Sequence, residues 1–299
     1  MRRPVVTLVL VACAWCSQPG DQTVVACDGR NGAEVYSITV RVTTEKYEPV
    51  DGLRPLDFTV TENGKPLSIC GFTHSSLPSS IGILLDTSGS MRRKVGIIRA
   101  VGQQFLKRSG PQDEYFLEYA GEVPSVQYDF TGDLARIRPG LDRFPTRGGS
   151  AILDGIDAGL AAIRRARNLN RSLLVISDGG DNSSALRGDD VTRTLRNTPV
   201  PIFLLIPVPG PEAGSFNKQG KADILRLVTR SGGFALSMSE RDSENAALNI
   251  ATAIRSPYVL DFVSQRSGKA FDPPKIKVEV KGIRPRPSVF VGVAVPSPR

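Results

Sequence analysis

Histidine, tryptophan and methionine are scarce in this chain: one His (His74), one Trp (Trp15) and three Met in 299 residues. A single imidazole leaves little room for chemistry built on a general base. Cysteine is scarce too, at four. Once a leader carrying Cys13 and Cys16 is removed, no C-x-x-C and no Cys/His cluster survives, which excludes the common zinc frameworks. No G-x-G-x-x-G follows a strand, and no Gly-rich phosphate loop carries a Lys, so dinucleotide and P-loop folds are disfavoured. Acidic residues number 30 against 38 basic ones, a net charge of +8. The basic residues are scattered, apart from Arg92-Arg93-Lys94 and Arg164-Arg165. No basic run is interleaved with aromatics, so no nucleic-acid partner is expected.

What is present begins with a leader. Residues 1–16 (MRRPVVTLVLVACAWC) combine a positive start, an apolar segment and small residues, too short to span a bilayer. Two processing routes fit. Ala12-Cys13-Ala14 offers an A-x-A cut, whereas Leu10-Val11-Ala12-Cys13 resembles a bacterial lipobox that makes Cys13 a lipidation candidate. Either leaves the protein exported: periplasmic, in the cell envelope or secreted, with membrane contact only through that lipid. An exported chain is allowed a disulfide. Cys27 and Cys70 are the candidate pair, two free thiols being the alternative.

A chain of this length with 40% hydrophobic content supports one large domain or two smaller ones. Residues 22–27 read as a short strand, and 34–44 (EVYSITVRVTT) alternate apolar and polar residues as a half-buried strand does. Residues 56–62 repeat the alternation, and Asn63-Gly64 turns the chain into a strand over 66–72. After the polar linker 75–80, strands at 81–85, 113–119, 123–130, 173–177, 199–207 and 232–236 are interspersed with helical patterns. The helices are expected at 92–109, 134–144, 150–167, 189–196, 221–229 and 244–255. This alternation implies a doubly wound, mostly parallel α/β sheet. From residue 257 the pattern reverts to β, at 258–263, 275–280 and 289–295. These late strands are too few to stand alone. They are expected to pair with the N-terminal strands in a smaller antiparallel β-sandwich-like domain, residues 21–75 and 257–297, with the α/β domain, 80–256, inserted.

The chain is organised around 81–90, IGILLDTSGS. A buried-strand run ends in an acid, two hydroxyls and a glycine, where open α/β sheets place ligands. Asp86, Ser88 and Ser90 offer oxygens at i, i+2 and i+4, the ligands a hard divalent cation prefers. A second apolar strand ends at Asp178 in a Gly-rich loop, and Gly148-Gly149-Ser150 opens a helix between the two. A reading in which these residues serve only as helix caps is the plain alternative.

This ordered trio resembles the von Willebrand factor A (VWA) domain and its metal-ion-dependent adhesion site. Carried over by position, the resemblance implies metal residues Asp86, Ser88, Ser90, Ser150 and Asp178, with Ser150 standing where the family usually has Thr. It also implies a Rossmann-like fold over residues 80–257, and GLRPLDFTVTENGKPLSI looks like the β module preceding bacterial exported VWA domains. Mg2+ is the expected cofactor, with Mn2+ or Ca2+ as substitutes. Asp181 and Asn182 are candidates for orienting Ser88 or a water. Arg92, Arg93 and Lys94 either attract an acidic ligand or form a solvated helix start.

The function expected is non-enzymatic: binding of a protein or peptide partner that presents an acidic residue to the metal. Two rivals stand beside it. One is a metal-assisted hydrolase or phosphotransferase using Asp86 and Asp178; the other is a structural envelope scaffold without metal.

Overall fold

The computed structural model describes Cys27 and residues 34–208, 218–264, 276–292 and 295–296. The leader 1–16 with Cys13, and residues 22–26 of the strand expected at 22–27, lie outside the described residues.

Three sheets form. The largest contains β5 (Ser79–Asp86), β6 (Glu114–Ala120), β7 (Pro124–Thr131), β8 (Asn170–Ile176), β9 (Ile202–Pro207) and β10 (Ala235–Met238). Its order is β10-β9-β8-β5-β6-β7, parallel except for the edge strand β7. All eight residues of β5 are buried, because it is central and covered on both faces. Ile81, Ile83 and Leu85 face α1 (Val95–Leu106), α2 (Leu134–Asp142) and α6 (Ser243–Arg255). Leu84 faces the core formed with α3 (Ile152–Ala162), α4 (Gly188–Asn197) and α5 (Lys218–Arg230). The run SIGILLD thus serves two cores with its two alternating faces. Gly82 is required there, because a Cβ would collide with Phe116 and Leu173.

The chain ends build the other two sheets. One holds β1 (Val35–Thr43), β4 (Ile69–His74), β11 (Tyr258–Val263), β13 (Ser288–Val291) and β14 (Val295–Pro296). The other holds β2 (Phe58–Glu62), β3 (Lys65–Leu67) and β12 (Ile276–Val280). N- and C-terminal strands pair antiparallel, β1 with β11 and β2 with β12. Their shared core is Ile38, Val40, Val42, Phe58, Val60, Tyr258, Leu260, Phe262 and Val278. The α/β sheet is therefore threaded between strands of an antiparallel unit.

Asn63 and Gly64 both take positive φ, 50° and 84°, the geometry of a tight hairpin between β2 and β3. The single strand expected over 66–72 is instead two. The chain leaves β3 at Leu67 and re-enters the other sheet at Ile69, where β4 finds β11 as its partner. Cys70 on β4 is bonded to Cys27, with Cα atoms 5.0 Å apart.

The two crossings between the units lie side by side at the base of β5. Leu77 N donates to Arg255 O at 2.9 Å. Arg255 is buried against Asp113 (2.7 Å) and donates to the Tyr115 hydroxyl. Asp113 in turn accepts Ser79 N, pinning the start of the central strand. From β1, Arg41 donates to Ala253 O on α6 and lies over the Phe203 ring.

Candidate metal centre

The opposite end of β5 carries the site. β5 and β8 pair in parallel, Leu85 opposite Ile176, so Asp86 and Asp178 leave neighbouring strands at one rim. Asp86 is fully buried. Its Oδ1 accepts Ser88 N at 2.9 Å, a local turn that sets the loop's exit, and its Oδ2 accepts the Ser177 hydroxyl at 2.7 Å. Ser88 Oγ and Ser90 Oγ lie 3.0 Å apart. Burial pushes the Asp86 carboxyl up from 3.8 to about 6, against hydrogen bonds that favour its ionised form; the charge of Asp178 pushes the same way.

Asp178 is driven the other way. Burial alone would raise it, but hydrogen bonds from Lys94 and Ser90, and the Lys94 charge, hold it below the usual carboxylate range. Lys94 Nζ bonds directly to Asp178 Oδ2. Asp178 Oδ1 accepts Gly180 N at 3.1 Å, and Gly179, at φ 85°, lets the loop turn that tightly.

The third loop is laced to the first two. Gly89 N donates to Gly148 O at 3.1 Å and Arg147 N to Thr87 O at 3.0 Å. Asn182 and Ser183 donate their backbone N–H groups to Ser150 O, and Asn182 Oδ1 accepts Ser150 N at 2.8 Å. Ser150 is 3% exposed, and its hydroxyl has no hydrogen-bond partner. A buried hydroxyl without a partner is costly, and the atom stands ready for a ligand.

The structure thus brings Asp86, Ser88, Ser90, Ser150 and Asp178 to one rim. Asp181 and Asn182 lie on the loop after Asp178, and both bond to the third loop. Asn182 fixes the Ser150 backbone, and Asp181 accepts Leu153 N and the Ser184 hydroxyl at the N-terminus of α3. Lys94 separates from its neighbours: Arg92 and Arg93 are exposed, Lys94 is buried. Ser177 was not singled out by the sequence. Its signal is its place directly before Asp178 at the end of an apolar strand paired with β5.

The donor set suits a hard divalent cation. Two carboxylates and three hydroxyls are all oxygen ligands, the class Mg2+, Mn2+ and Ca2+ take. Beside the site lies an open groove of about 390 Å3, lined by Thr87, Tyr119, Glu122, Val123, Arg147 and Gly148 among others.

Comparison with known proteins agrees with this architecture. Residues 81–180 match the family model described as the von Willebrand factor type A domain. Proximal thread matrix protein 1 from the mussel byssus is similar at 13% identity, over 64% of this chain and 51% of that one, with a TM-score of 0.51. A second structure of that mussel protein, with a zinc-occupied MIDAS motif, gives 14% identity, 62% and 49% coverage and a TM-score of 0.50. This chain thus spans about half the length of those two structures. An aerotolerance-related membrane protein from Bacteroides fragilis is 15% identical over 59% of this chain and 98% of its own, at a TM-score of 0.48. No curated protein matches the chain. The family match runs from β5 through β8 to the loop of Asp178, so residues 81–180 of this chain are the part that matches the von Willebrand factor type A domain.

Proposed function

We propose that this is an exported, non-enzymatic VWA protein that binds a protein or peptide partner through a Mg2+-type ion (Mg2+, Mn2+ or Ca2+). The VWA domain occupies residues 80–256, and residues 21–75 and 257–297 form the β-sandwich-like base. The leader, residues 1–16, directs export to the periplasm, envelope or exterior, with Cys13 as the point of any lipid anchor.

The observation that carries the reading is the buried, unpartnered Ser150 hydroxyl on a loop bonded to those of Asp86 and Asp178. Asp86, Ser88, Ser90, Ser150 and Asp178 hold the ion. When bound, it supplies an open coordination position for a partner's carboxylate. Arg92, Arg93 and Arg147 are exposed around the same loops and favour an acidic partner. The groove beside Thr87 and Gly148 has room for residues flanking that acid. Binding rather than turnover suits the placement of the single imidazole. His74 stacks on Tyr258 at 4.0 Å, on the strand that leads into the base of β5.

The test is affinity capture from envelope extract with the wild-type protein and Asp86→Ala, each with and without EDTA. Capture that needs both the carboxylate and the free metal supports the reading. A partner retained equally by all four samples refutes it and favours a metal-independent scaffold.

A further inference from the structure

Asp178 is a ligand in the reading above, yet one of its oxygens already carries a cation. Lys94 Nζ sits on Oδ2, and the two side chains are only 9% and 5% exposed. A lysine is almost never buried this far unless paired. The local backbone explains how it arrives there. Gly89–Lys94 is a six-residue 3-10 turn between Ser88 and α1. Side chains three apart in such a turn share a face. Met91, fully buried, anchors that face in the core, and Lys94 follows it inward while Arg92 and Arg93 stay in solvent.

We propose that Lys94 is a resident cation of the metal site, which neutralises Asp178 when no ion is bound and must leave Oδ2 before that carboxylate can serve a divalent ion. The inference rests on the metal reading and deepens it by naming the residue that sets the site's affinity. Its physical ground is competition for one oxygen. An ammonium and a divalent ion on the same carboxylate repel strongly in a buried setting, so each weakens the other. Lys94 also has a structural use. Without it, Asp86 and Asp178 would meet as two buried like charges. Its flexible four-carbon stem can swing out past Ser90, which is exposed at the mouth of the site. Metal binding would then free Lys94 for solvent or for a partner's carboxylate.

The experiment titrates chelator-stripped full chain with Mn2+ by calorimetry, comparing wild type, Lys94→Met and Lys94→Arg. Met keeps the stem and removes the charge. Lys94→Met is expected to bind Mn2+ about tenfold tighter or more, about 1.4 kcal/mol, and Lys94→Arg no tighter than wild type. A second readout uses wild type alone, so it does not depend on a variant's folding. Reductive methylation followed by peptide mass spectrometry should find Lys94 protected in EDTA and modified several-fold faster under saturating Mn2+. Binding by Lys94→Met but not by wild type supports the inference in its strongest form. Equal Mn2+ affinities, or protection of Lys94 unaltered by bound Mn2+, overturn it and leave the metal site standing. Mn2+ bound by neither wild type nor Lys94→Met overturns the metal reading together with the inference.

Discussion

Replacing Asp86 by Asn should make the protein more stable and less useful. The substitution keeps the shape and the acceptor for Ser88 N, and removes a charge from a fully buried position. Burial raises the Asp86 carboxyl from 3.8 to about 6 in the folded protein. That gap corresponds to about 3 kcal/mol of lost stability, at about 1.36 kcal/mol per pH unit. The sign follows from proton binding. Between the two values the folded state holds the proton more tightly than the unfolded chain, so stability falls as pH rises from 3.8 to about 6 and stays reduced above. Urea unfolding in the presence of a chelator should therefore find Asp86→Asn more stable than wild type by about 3 kcal/mol at pH 8, with the difference gone by about pH 4. Adding Mn2+ should close most of that difference at pH 8. At a hundredfold excess over its dissociation constant, an ion bound only by the folded wild type adds about 2.7 kcal/mol, and Asp86→Asn loses most of that gain. An Asp86→Asn protein no more stable than wild type at pH 8 in chelator would refute the burial argument.

Three further outcomes follow from other parts of the fold. Glu118 on β6 is 1% exposed, its Oε2 has no partner, and burial raises its carboxyl from 4.5 to about 7. Glu118→Gln should stabilise by about 3 kcal/mol at pH 8, an advantage that fades to nothing below about pH 4.5 in the same urea assay. Arg255→Met strands the buried Asp113 carboxylate and should cost about 3–5 kcal/mol in thermal or urea unfolding. Cys70→Ser opens a loop of 43 residues. On the chain-entropy estimate it should lower stability by about 4 kcal/mol, and a reductant should do the same to wild type but not to the variant.

The strands of the α/β sheet were legible because their signal is local. SIGILLD and LLVIS are mostly apolar, and each run ends abruptly at an acid, Asp86 or Asp178. The pairing of the two chain ends was legible because the late strands are too few to close a core alone. The break between β3 and β4 was not. It is dictated by β11, about 190 residues further along, and no local pattern at Leu67 or Ser68 announces a change of sheet. Lys94 was masked by its company. Read beside Arg92 and Arg93 it belongs to a solvated cluster, and only the three-residue period of the turn sorts it inward with Met91. Asp154 shows the same limit: it lies in the first turn of α3, and its carboxylate accepts Ala185 N and Leu186 N, holding the segment that follows Asp178.

The side-by-side crossings have a mechanical meaning. β5, with eight residues, runs about 26 Å from the neck at Leu77 to the rim at Asp86, so whatever grips the rim pulls along the strand. Hydrogen-bonded to β6 on one flank and β8 on the other, that strand resists by shear, every rung loaded at once. The tension then divides between two chains leaving the neck abreast. On one of them the sulfur bridge at Cys70 ties β4 covalently to Cys27.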